Sequence, residues 1–144
     1  MIRPFNILFI FVPMKQNYPT YEKLKSRTLI DYLFTNGKSV SKYPLRLVFA
    51  EVSELKNTNT NLQIGVSVSK KYFKKAVDRN YYKRVLREVY RLNKEGFTES
   101  ILEKKYIMML MYQTKDRLDF HEINDKIKSL LIKFNEQLSK QEFK

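Results

Sequence analysis

Hydrophobic positions recur along the chain with two different periods, and each period marks an element. Leu29, Ile30, Leu33 and Phe34 fall at helical spacing, which predicts a helix over about Arg27–Thr35. Ser26 stands before it as an N-cap whose hydroxyl can accept from a free backbone N–H. Gly37, after Asn36, suits a left-handed residue just beyond the helix. Leu45, Leu47 and Phe49 alternate along the first part of Leu45–Val52. Leu62, Ile64, Val66 and Val68 alternate strictly with Gln63, Gly65, Ser67 and Ser69, the mark of a half-buried strand. The polar stretch Asn57–Asn61 between these segments predicts a turn, so the two are expected to pair as a hairpin. The small side chains Gly65, Ser67 and Ser69 admit two readings: a face that a backbone or a base approaches closely, or an ordinary solvated face.

The helical period returns over Ala76–Asn93, with Gly96 near the expected end. Tyr106–Tyr112 is a continuous apolar run, consistent with a buried strand. Thr114–Asp119 is polar, and Phe120–Leu138 predicts a last helix with Ile123, Ile127, Leu130, Leu131 and Phe134 as its stripe. A further short strand is expected near Lys38–Lys42. The class is therefore α+β, a sheet covered by helices. One domain over residues 14–138 is expected, with a polar tail at 139–144. The apolar run Phe5–Val12 is too short to span a bilayer. It follows Arg3 as a signal peptide would, but no small-residue cleavage site follows it. The expectation is that Met14 is the true start and that residues 1–13 are a non-native or disordered extension.

Charge changes the picture from fold to function. Lys and Arg number 28 against 15 Asp and Glu, a net charge of +13. Such self-repulsion points to a polyanionic partner. Nucleic acid leads, because neutralised phosphates release counterions; an anionic membrane surface is the rival. The chain has no Cys, which excludes disulfides, a thiolate nucleophile and Cys-ligated metal. His121 is the only His, too few for a multi-His metal site, and is expected on the surface of the last helix.

The charge is concentrated. Residues 70–94 carry Lys70, Lys71, Lys74, Lys75, Arg79, Lys83, Arg84, Arg87, Arg91 and Lys94, opposed only by Asp78 and Glu88. On a helix of roughly 100° per residue, Tyr81, Tyr82, Val85, Leu86, Val89 and Leu92 gather on one side. Arg79, Asn80, Lys83, Arg84, Arg87, Arg91 and Lys94 gather on the other, with Tyr90 at its edge. The apolar side is expected to dock on the sheet. That need weakens a membrane-surface reading. Solvated charged faces usually mix signs, and this one hardly does. Guanidinium groups suit phosphate because their planar fork donates two parallel hydrogen bonds, and Asn80 can add a base-edge or sugar contact. The four lysines precede the helix start, where free N–H groups and the macrodipole also attract phosphate.

Gly65-Val66-Ser67-Val68-Ser69-Lys70-Lys71, then Ala76-Val77-Asp78-Arg79-Asn80, then Lys83-Arg84-Val85-Leu86-Arg87-Glu88 resembles the signature of the bacterial ribonuclease P protein family. The resemblance runs from about Lys23 to Phe134. In that family Arg-Asn-Arg is followed by Lys-Arg and an Arg one turn on. Here Arg79 and Asn80 match and Tyr81 departs; Tyr81 either lacks one arginine contact or stacks on a base instead. The resemblance implies a small α/β sandwich related to a ribosomal-protein domain: a mainly four-stranded sheet, three helices and a left-handed crossover against the usual right-handed rule.

It also implies a cytoplasmic protein with no catalytic residues and no cofactor of its own, one copy joining a catalytic RNA that holds Mg²⁺. The holoenzyme, an endoribonuclease, removes the 5′ leader of precursor tRNA. By resemblance Arg79, Asn80, Lys83, Arg84 and Arg87 would contact RNA, and Ile30, Phe34 and Lys71 would line a cleft for the leader; charge and position add Lys70, Lys71, Lys74, Lys75 and Arg91 to the expected RNA-binding set. Ile30 departs from the family's aromatic pattern, and Ile30 and Phe34 are equally readable as core residues. Two other classes remain open. A ribosomal or ribosome-assembly protein would share the charge and a similar sheet. A protein-only nuclease would need clustered carboxylates for metal ions, and Asp116, Asp119 and Glu122 read instead as a loop and a helix start.

Overall fold

The computed structural model describes residues 18–19, 22–55 and 60–142. The expected extension, residues 1–13, lies outside them.

The first helix, α1 (Arg27–Asn36), begins where Ser26 Oγ accepts from the Leu29 N–H at 3.3 Å. It ends at Gly37, which is not left-handed as expected but extended, with φ −76° and ψ 163°. What Gly37 supplies is space. A Cβ there would lie 2.3 Å from the Leu33 carbonyl oxygen and 3.0 Å from that of Phe49. The chain can therefore turn from the helix directly into β1 (Lys38–Lys42), which runs beside β2 (Leu45–Val52) as an antiparallel hairpin through Tyr43-Pro44.

The expected pairing of Leu45–Val52 with β3 (Leu62–Val68) does not form. The strand order is β1-β2-β4-β3: β4 (Lys105–Tyr112) lies between them, antiparallel to β2 and parallel to β3. The physical reason is the composition of β4. Tyr106, Ile107, Met108, Met109 and Leu110 are all buried, and a strand apolar on both faces belongs in the middle of a covered sheet. Adjacent parallel strands need a long crossover, and the helix α2 (Ala76–Ile101) provides it.

That helix runs beyond the expected end near Asn93. Gly96 lies inside it, where a Cβ would come within 2.2 Å of Leu131 Cδ2. The glycine thus permits close packing of α3 (Phe120–Glu142) rather than stopping α2. Asn93 Nδ2 joins the same pair of helices, donating to Val89 O at 2.7 Å and to Asn124 Oδ1 at 2.8 Å. Asp119 caps α3: its Oδ1 accepts from the Glu122 N–H at 2.9 Å, and Glu122 Oε1 accepts from the Asp119 N–H at 3.4 Å, a reciprocal capping box. Ile123, Ile127, Leu130 and Phe134 are fully buried along its inner stripe, and Leu131 is half-buried. The expected polar tail is helical as far as Glu142.

The sheet has a core on each face. Leu45, Leu47, Phe49, Leu62, Ile64, Met108 and Leu110 pack with α2 and α3. Val48, Ala50, Ile107 and Met109 pack with Leu33 of α1 and with Leu24. Leu45–Val52, read as alternating in part, is therefore buried on both sides over Leu47–Ala50. Among the described residues no helix is long and apolar enough to cross a membrane.

The segment before α1 straps the outer edge of β3. Lys23 bridges Ile64, and the Leu24 N–H donates to Ile64 O at 3.0 Å. The strap is pinned by a buried ion pair: Lys94 Nζ lies 2.6 Å from Glu22 Oε1 and 2.7 Å from Oε2. Beside it Tyr18 meets Tyr90 edge-on at 5.4 Å, and the Tyr18 hydroxyl donates to Ile64 O.

These contacts set the stability of three variants. Gly37→Ala pushes a Cβ against fixed backbone and should cost about 1–3 kcal/mol in urea unfolding. Gly96→Ala meets only the movable end of Leu131 and regains about 1 kcal/mol of helix propensity, so it should be close to neutral; the reverse order would refute the distinction. Glu22→Ala removes the buried carboxylate that faces the Lys94 ammonium and should cost about 3 kcal/mol in the same assay.

Candidate nucleic-acid interface

The basic residues meet where β3 ends and α2 begins. Ser69 organises the junction: its carbonyl accepts from the Tyr72 and Phe73 N–H groups at 3.1 and 3.2 Å, and its Oγ from the Lys71 N–H at 3.0 Å. The turn leaves Lys70, Lys71, Lys74 and Lys75 exposed around the start of the helix. Lys75 is the N-cap residue, in extended conformation, and makes no side-chain cap bond. A lysine cannot accept a hydrogen bond, so the first-turn N–H groups gain no side-chain acceptor from it and the dipole end stays electropositive.

Along the helix the expected basic residues have different fates. Asn80, Arg84 and Arg87 are exposed, and Lys83 is half-exposed. Arg79 is half-buried, and its Nη1 donates to Phe73 O at 2.9 Å and Lys74 O at 2.7 Å. It ties the lysine-bearing turn to the helix. Arg91 is held by Glu88, with Nη2–Oε1 at 2.5 Å and Nε–Oε2 at 3.1 Å. That pairing lowers the Glu88 carboxyl below its ordinary value and raises the Arg91 guanidinium. Lys94, expected on the basic stripe, turns to Glu22 instead.

The apolar side also departs from expectation. Tyr82, Val85, Leu86 and Val89 are buried as expected. Tyr81 and Leu92 are 47% and 38% exposed, and Tyr90, expected at the polar edge, is 1% exposed. The cause is that α2 is covered on both flanks as well as below. The strap closes over Tyr90 from one side, and α3 packs on the other, so the buried arc is wider on the Tyr90 flank and leaves Tyr81 outside. Burial pushes the Tyr18 phenol up to about 12, with the Arg87 guanidinium nearby pulling the other way. Burial raises the Tyr90 phenol as well.

Sequence reasoning missed Arg117. It lies in the connection from β4 to α3, and its Nη2 donates to Asp78 Oδ2 at 3.1 Å while its guanidinium sits 5.2 Å from the Phe73 ring centre. This hydrogen bond holds the Asp78 carboxyl below its ordinary value. The one acidic residue in the first turn of α2 is thereby neutralised from a distant loop. No local sequence signal joins positions 78 and 117; only the sheet order does.

On the opposite face of the sheet, Ile30 is half-buried against the second core, whereas Phe34 is 50% exposed. The two residues, equally readable as core beforehand, thus separate. Lys71 stands at the β3–α2 turn, with Nζ 5.5 Å from the Tyr72 ring centre. At Gly65 the close approach is made by the chain itself: a Cβ there would lie 3.2 Å from Met109 Cε and 3.5 Å from Leu24 O. Ser67 is half-buried beside it. A cavity of about 430 Å³ opens nearby, lined by Lys23, Lys25, Ser26, Thr28, Leu29, Glu54 and Gln63.

The acidic residues considered for metal chemistry are engaged otherwise. Asp119 and Glu122 form the α3 cap, and Asp116 accepts from the Tyr43 hydroxyl. His121 is exposed in the first turn of α3.

Comparison with known proteins agrees with this arrangement. Residues 18–135 match the model of the family described as Ribonuclease P. A ribonuclease P protein component of Porphyromonas gingivalis is 36% identical over 114 residues, spanning 78% of this chain and 82% of that protein. One from Dictyoglomus thermophilum is 35% identical over 121 residues, spanning 84% and 91%. Among solved structures, the ribonuclease P protein of Staphylococcus aureus superposes with a TM-score of 0.62 at 22% identity, covering 76% of this chain and 92% of that one. That of Thermotoga maritima gives 0.59 at 26% identity, covering 76% and 94%. With its basic helix crossing between parallel strands and a family match over most of its length, the chain belongs to the ribonuclease P protein family.

Proposed function

We propose that the chain binds the catalytic RNA of ribonuclease P and the 5′ leader of precursor tRNA, and so promotes endonucleolytic release of the mature tRNA 5′ end. The observation that carries this reading is the one-sided cluster of cations at the β3–α2 junction. Lys70, Lys71, Lys74 and Lys75 ring an uncapped helix start, and Asn80, Arg84 and Arg87 continue from it along the solvent face. Arg79 acts within the protein, fixing the turn, and Arg91 reaches RNA only by exchanging or sharing Glu88. Cleavage in this reading is done by the RNA, which holds the Mg²⁺. The protein screens phosphate repulsion and holds the leader. It works in the cytoplasm, one copy per RNA.

The leader contact falls to Phe34 and Lys71. Phe34 offers an exposed ring suited to stacking on an unpaired base. Ile30, half-buried against the second core, adds only apolar contact at that cleft. The same basic surface would serve a ribosomal protein, so the assay has to read the reaction.

Mixed with the ribonuclease P RNA of its own organism at low Mg²⁺, the protein should restore precursor-tRNA cleavage. Arg84→Ala combined with Arg87→Ala should weaken RNA binding and make the plot of log affinity against log salt shallower by roughly 1–2. An unchanged slope would show that this face does not meet phosphate. In the reconstituted enzyme, Phe34→Ala should weaken binding of precursor tRNA by roughly fivefold or more while leaving mature tRNA unaffected. Equal loss for both would remove Phe34 from the leader contact.

A further inference from the structure

We propose that Tyr81 stacks on an unpaired base of the partner RNA, so that this chain reads one flipped-out or single-stranded nucleotide where the family motif places an arginine. The inference rests on the RNA-binding reading above and adds to it the chemistry of one contact.

Tyr81 lies in the second turn of α2 and is 47% exposed, although an apolar placement was expected for it. Its neighbours in sequence and on the next turn, Asn80 and Arg84, are exposed too. Val77, one turn before it, is 76% exposed. The solvent face of α2 thus has an aromatic and aliphatic patch set directly into the cationic surface. An isolated exposed valine needs no explanation. The tyrosine differs because its ring is held in place: it meets Tyr82 at 5.0 Å and 88°, and Tyr82 is stacked on Phe73 at 4.9 Å and on Tyr112 at 4.7 Å. Tyr82 is itself 3% exposed. A ring braced on a buried aromatic cluster loses little rotamer freedom when a partner docks, which makes it a good platform.

The surroundings select the partner. Side chains three apart on a helix lie about 5–6 Å from each other, so Arg84 can hold a phosphate while Tyr81 meets the base of the same or the adjacent nucleotide. A protein surface docking here would have to bury the exposed Arg84 and the lysines of the preceding turn. An RNA satisfies both chemistries at once. The base must be unpaired, because bases inside an A-form duplex are stacked and closed to side chains. Stacking on a neutral ring also differs from an arginine contact in a measurable way: it releases no counterion, so its strength is nearly independent of salt.

The test is RNA affinity across a salt series, using the intact protein and its ribonuclease P RNA. Tyr81→Phe should bind as the wild type does. Tyr81→Ala should bind roughly tenfold more weakly or worse, with the salt slope unchanged. Tyr81→Leu, which keeps apolar bulk without a π face, should fall closer to Ala than to Phe. Thermal unfolding of each variant confirms that the Tyr82 cluster is intact, and Tyr81→Phe preserves that brace in any case. Wild-type affinity for Tyr81→Ala would overturn the proposal. So would a flattened slope, which would mean the substitution acts through the neighbouring cations, or equal affinity for Leu and Phe, which would mean mere burial. Failure of the underlying reading looks different: the Arg84 and Arg87 double variant would then leave the slope intact, whatever Tyr81 does.

Discussion

The placement of β4 governs the rest of the molecule. From Tyr106 to Leu110 this strand is buried without interruption, so both of its faces must be covered and both of its edges paired. Covering one face recruits α1, and covering the other recruits α2 and α3. Pairing one edge in parallel with β3 obliges the chain to cross the sheet between them. The crossing segment is the one that carries the cations. A helix held on the sheet by Tyr82, Leu86, Val89 and Phe97 keeps most of its charges on the outside, Lys94 excepted. The electrostatic surface is therefore a product of core topology, and no membrane or partner is needed to orient it.

The elements with a clean period were legible in advance. The strict alternation from Leu62 to Val68, the apolar run of β4 and the stripe of α3 all read correctly, and Ser26 marked the start of α1. The errors share one cause: they concern which elements lie side by side. Leu45–Val52 and Leu62–Val68 are consecutive strands, and proximity in sequence favoured pairing them; the stronger demand of β4 for a central place is visible only once both faces of the sheet are counted. Gly37 and Gly96 were read as helix terminators from their local setting. Instead Gly37 makes room for the nearby Leu33 carbonyl and for that of Phe49 in β2, and Gly96 faces Leu131 of α3 from inside its helix.

The basic surface was legible as a set of residues but not as a set of free groups. Projection on an ideal helix assigns every cation on one side the same status. In the folded chain Arg79 braces the preceding turn, Arg91 is joined to Glu88, and Lys94 enters the interior to meet Glu22. The same projection put Tyr81 inside and Tyr90 near the surface. Their exchange follows from the strap over Tyr90, a segment with no period to announce it. Arg117 was invisible for a related reason, since its link to Asp78 crosses from the β4–α3 connection to the start of α2.

The strap has one more effect, on how copies of the protein meet each other. A four-stranded open sheet has two edges, and an edge with a free row of backbone groups is a template for a strand from another molecule. Here the β3 edge is occupied by Lys23 and Leu24, whose bonds to Ile64 take up part of that row. The β1 edge is only Lys38–Lys42 long and has a lysine at each end, and Lys133 Nζ donates to the Ser41 carbonyl at 2.8 Å. Both edges are blunted by short pieces of the same chain and by positive charge. An incoming strand therefore meets positive charge or already occupied backbone groups at either edge of the sheet.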